Sequence, residues 1–130
     1  AYSAADIKTA EFVRENTPEH SIFLTGNQHL NPVSSLAGRT ILCSSDLYLY
    51  YHGFNTTESQ AEIAAFYANP AANLDLLKRY QVQYIYVSPY ERANAQYAVN
   101  EAALEALFPV IYESDGGQNR IFEVPEAYRQ

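Results

Sequence analysis

The sequence predicts an α/β layered fold: a mixed, mainly parallel sheet of about five strands, helices on its faces and a C-terminal antiparallel hairpin. Three observations carry this expectation. Helical patterns alternate along the chain with short apolar runs. One of those runs, Val82–Val87 (Val-Gln-Tyr-Ile-Tyr-Val), is rich in β-branched and aromatic residues and ends at Ser88-Pro89. Near the C-terminus, Val110–Glu113 and Arg120–Val124 flank the turn sequence Ser114-Asp115-Gly116-Gly117. Strands separated by helical crossovers pair in parallel, whereas a short Gly-rich turn joins antiparallel neighbours. The first three strands are therefore expected to be parallel, and the hairpin to add antiparallel pairing.

Each element has a local reason. Ser3 with Asp6 forms a capping-box start, and Ile7, Ala10, Val13 and Arg14 follow at helical spacing until Thr17-Pro18 stops the helix. Ser21–Thr25 is an apolar strand ended by Gly26. Asn31-Pro32 is a cap with Pro at the first helical position, and Gly38 is a C-terminal stop, so 32–37 should hold one or two helical turns. Arg39–Ser44 is a second strand, and Asp46–Gly53 has no clean period. Thr57-x-x-Gln60 opens a helix striped by Ala61, Ala64, Ala65 and Phe66. Asn69-Pro70 starts a separate helix running to about Tyr80. The strand at Val82–Val87 follows, then a helix expected over Ala93–Phe108, with Asn100 capping its better-patterned second half.

Composition bounds the function. At 130 residues with 48% hydrophobic and 18% charged side chains, the chain can bury the core of one domain, and it carries no repeat, linker or low-complexity segment. Its net charge of -7 argues against nucleic acid or an anionic membrane surface as a partner, since both select clustered Lys and Arg. The one cysteine, Cys43, has no internal disulfide partner and sits in an apolar run, where a buried inert thiol is expected. No initiator Met is present, from which a processed chain or a segment of a longer polypeptide is expected.

Strong catalytic signatures are missing. One glycine in Gly26-Asn27-Gln28-His29 stands where dinucleotide folds use three, and neither a P-loop nor a Gly-x-Ser-x-Gly elbow occurs. His20, His29 and His52 are far apart without ligand spacing, so neither a metal nor another cofactor is expected. The polar loops after the strands carry more. In a parallel sheet ligands gather outside the carboxyl ends of the strands, which would bring together the segments 26–31, 44–52 and 88–92. Their tyrosines, amides and carboxylates suit sugar recognition, with rings stacking on CH-rich faces and polar groups pairing hydroxyls. The same tyrosines fit a structural role at half-buried positions. An acid/base or metal-assisted enzyme using His29, Asp46, His52 and Glu91 is a further alternative.

One resemblance reaches beyond these residues. Phe12-Val13-Arg14-Glu15-Asn16-Thr17-Pro18 followed by Ser21-Ile22-Phe23-Leu24-Thr25, then His29-x-Asn31-Pro32, Leu36-Ala37-Gly38-Arg39 and Tyr51-His52-Gly53, form one series of segments. Leu76-Leu77-Lys78-Arg79-Tyr80-x-Val82-x-Tyr84-Ile85-Tyr86-Val87, Phe108–Glu113 and Arg120–Val124 extend it. The series, from about Ala10 to Val124, resembles the soluble domains at the C-terminus of polytopic membrane proteins, including bacterial and archaeal glycosyltransferases of the C-type superfamily. The resemblance implies a non-catalytic, extracytoplasmic piece of a multi-pass membrane protein. Its partners would be the transmembrane part of the same polypeptide and a glycan or lipid-linked sugar, with catalysis held in the membrane part. A stand-alone carbohydrate-binding module is the alternative. Taken with the loops, the candidate ligand-binding residues are His29, Asn31, Arg39, Tyr48, Tyr51, His52, Tyr90 and Glu91, with no catalytic and no metal-ligating residue assigned.

Overall fold

A computed structural model describes residues 2–26, 32–42 and 56–130. Within them the chain forms an α/β fold around one open mixed sheet in the order β2-β1-β3-β5-β4. The strands are β1 (Ile22–Leu24), β2 (Thr40–Leu42), β3 (Tyr84–Val87), β4 (Val110–Glu113) and β5 (Arg120–Glu123). The helices are α1 (Ala4–Asn16), α2 (Thr56–Ala68), α3 (Asp75–Arg79), α4 (Pro89–Ala93) and α5 (Glu101–Leu107).

β1 pairs in parallel with both β2 and β3, as the helical crossovers dictate. The expectation of a mainly parallel sheet does not hold. β5 lies antiparallel between β3 and β4, so the terminal hairpin contributes as many pairings as the parallel half. The hairpin enters the sheet through β5, its second strand, because β5 carries the inward apolar pair Ile121 and Phe122 whereas β4 is partly exposed.

Both faces of the sheet are covered, and the alternation along each central strand shows how. Phe23, Tyr84, Tyr86 and Ile121 pack with Ala10 and Val13 of α1 and Val33 beside it. Leu24, Ile85, Val87 and Phe122 point the other way, into Phe66 and Tyr67 of α2, Leu76 and Leu77 of α3 and Leu104 of α5. Strands buried on both faces read as continuous apolar runs, which is why Tyr84–Val87 is apolar or aromatic at every position.

The caps explain the boundaries. Ser3 and Asp6 form the expected reciprocal capping box on α1 (3.1 Å each way), and the helix ends at Thr17, whose N–H donates to the Val13 carbonyl. Residues Pro32–Leu36 form a single wide π-helical turn, closed by the Ala37 N–H on the Pro32 carbonyl at 3.0 Å. The segment after Asn69 divides into a 3₁₀ turn (Pro70–Asn73) and α3. The helix expected over Ala93–Phe108 is realised only as α5. Asn94 takes the Gln96 N–H with its side chain, Ala98 adopts left-handed backbone (φ 41°), and the Asn100 side chain caps α5 through the Ala103 N–H. Side-chain amides that satisfy nearby backbone groups compete with a continuing helix.

Long-range polar ties fix the layers. Asn119 of the hairpin donates to Thr9 Oγ1 on α1 at 3.0 Å. Arg120 is ion-paired to Glu101, Glu105 and Glu113, holding α5 against the hairpin. Burial alone would raise the Glu101 carboxyl, but the guanidiniums of Arg92 and Arg120 outweigh it and hold Glu101 below the ordinary carboxylate value. The Tyr67 hydroxyl donates to the Tyr86 carbonyl at 2.6 Å and lies 3.4 Å from the Leu24 carbonyl, so one buried phenol spans the ends of β3 and β1. Tyr67→Phe removes that donor and should lower the unfolding free energy by about 1–2 kcal/mol. In urea titrations the midpoint falls while the slope is unchanged.

Candidate functional site

The carboxyl ends of β1 and β3 are adjacent, and the chain leaves them toward opposite faces of the sheet. After β1 it passes to the turn packed on the α1 side, and after β3 it enters α4, whose Tyr90 packs on the α2 side. A divergence of this kind opens the crevice in which α/β folds hold ligands. Here the chain fills it with its own side chain. Ser88, in extended backbone, caps α4, Pro89 takes the first helical position, and Glu91 at the third completes a capping box. The Glu91 carboxylate accepts from the Ser88 N–H at 2.9 Å and the Ser88 hydroxyl at 2.5 Å through Oε1. Through Oε2 it accepts from the Gly26 N–H at 2.8 Å. Glu91 is 0% exposed, so these donors are the contacts that solvate it.

Gly26 is required by the closeness of this approach. A Cβ at Gly26 would stand 2.8 Å from Glu91 Oε2 and 2.9 Å from ring atoms of both Tyr90 and Tyr97. The rings of Tyr90 and Tyr97 lie 6.5 Å apart, and Tyr97 meets Tyr67 edge-on at 5.5 Å. Below the carboxylate, the Tyr86 hydroxyl is buried close to Ser88 without a hydrogen bond of good geometry. Burial, with the carboxylates of Glu91 and Asp6, pushes that hydroxyl well above the ordinary tyrosine value. Burial also pushes the Glu91 carboxyl up, against the pull of the Ser88 and Gly26 donors.

Of the residues expected at the ligand loops, the structure brings Tyr90 and Glu91 to the crevice, as parts of its closure. Arg39 stands elsewhere. Its guanidinium donates to the carbonyls of Val13 (3.3 Å), Arg14 (3.2 Å), Thr17 (3.1 Å) and Ala37 (3.2 Å), and to Thr17 Oγ1 (3.2 Å). Five donors in a planar fork suit the orphan carbonyls at the C-terminus of α1, and Arg39 thereby ties β2 to that helix. His29, Asn31, Tyr48, Tyr51 and His52 lie outside the described residues, as do Cys43 and Asp46. Among the described residues no three His, Cys, Asp or Glu side chains gather as a metal ion would require, and no helix is long and apolar enough to cross a membrane. Gly26 and Ser88 lie in the loop segments expected to gather here but were not among the candidate ligand-binding residues, and Tyr97 was not singled out. Ser88-Pro89-x-Glu91 was the available signal, a capping box with Pro at the first helical position.

Neither a family model nor a curated protein matches the chain.

Two predictions test this closure. Gly26→Ala overpacks the crevice and should cost about 1–3 kcal/mol of stability, read from urea unfolding. Glu91→Gln is informative through pH. The folded carboxyl is raised above its ordinary value of 4.5, so the native state binds the extra proton. Stability of the wild type relative to Glu91→Gln should therefore fall as pH rises from about 4.5, and level off above the raised value. Parallel stability–pH curves for the two proteins would contradict the raised carboxyl.

Proposed function

We propose that this chain is a non-catalytic domain of a polytopic membrane protein, held on the extracytoplasmic side and assisting acceptor or glycan recognition by a glycosyltransferase of the C-type architecture. The supporting observation is the state of Glu91. Catalysis by an acid or base needs a group that can reach a substrate proton. The carboxylate at the strand-end crevice is instead fully buried and engaged by Gly26 and Ser88. With Arg39 engaged on α1, the described elements act as a scaffold. Ligand recognition then falls to His29, Asn31, Tyr48, Tyr51 and His52. The membrane context rests on the resemblance that runs from about Ala10 to Val124.

Two measurements bear on this function. The coding sequence upstream of Ala1 should hold several hydrophobic stretches of about 20 residues each. A start codon or a cleavable signal in that place would overturn the membrane assignment and leave a stand-alone carbohydrate-binding module. Calorimetric titration with oligosaccharides should give millimolar or tighter binding that Tyr51→Ala or His52→Ala weakens about tenfold, roughly the loss of one good contact. Saturable binding untouched by both substitutions would move recognition away from these residues.

A further inference from the structure

We draw no further inference here: the strongest candidate, the outer edge of the sheet along β4 with Val110 exposed, is short and bulged between Val110 and Tyr112, and nothing in the structure shows what covers it.

Discussion

The fold depends on one buried carboxylate. Glu91 joins the exit of β1 to the start of α4 by accepting from Gly26 on one side and Ser88 on the other. An ionisable group at 0% exposure is tolerated because donors are built around it, and removing one would leave the others facing an unmet demand. The surrounding packing is arranged to suit. Gly26 has no side chain because Glu91, Tyr90 and Tyr97 occupy its space. Tyr67 spans the same two strand ends from the α2 side. The parallel half of the sheet is thus tied at its carboxyl ends by a carboxylate and a phenol, and at the C-terminus of α1 by Arg39.

This closure shapes the functional assignment. In open α/β sheets the strand-end divergence is where substrate is usually held. Here it is filled with the hydrogen-bonded Glu91 carboxylate and aromatic rings, leaving Glu91 no contact with solvent. A crevice closed in this way supports the recognition domain proposed above.

Much of the architecture was legible because it follows from period and punctuation. The Ser3–Asp6 capping box, the stop at Thr17-Pro18 and the Asn100 cap all lie where local chemistry puts them. The parallel relation of the first three strands follows from the crossovers between them. The balance of the sheet was not legible, because nothing local says which strand of the hairpin pairs with β3. The long helix over Ala93–Phe108 misled for a physical reason: apolar spacing continues through it, but Asn94 and Asn100 satisfy backbone groups that a helix would need. At the candidate site, Tyr90 and Glu91 lie at the strand ends where the sequence reading put them, and the contacts of Glu91 were not legible. A capping box at Ser88–Glu91 signals local structure, whereas the hydrogen bond that reaches Gly26 is a tertiary fact with no sequence pattern. Arg39 was likewise assigned to ligand binding, whereas its acceptors lie on or just after a helix that ends more than twenty residues earlier.

Hydrogen exchange at the Gly26 amide bears most directly on the closed crevice. Loop amides exposed to water exchange quickly, whereas an amide bonded to a buried acceptor exchanges only when the structure around it opens. If Glu91 closes the crevice, the Gly26 amide exchanges as slowly as the amides of Ile85 and Tyr86 at the centre of the sheet. Exchange at the rate of an unprotected loop would mean that the carboxylate does not hold Gly26, and that the crevice is open to a ligand after all.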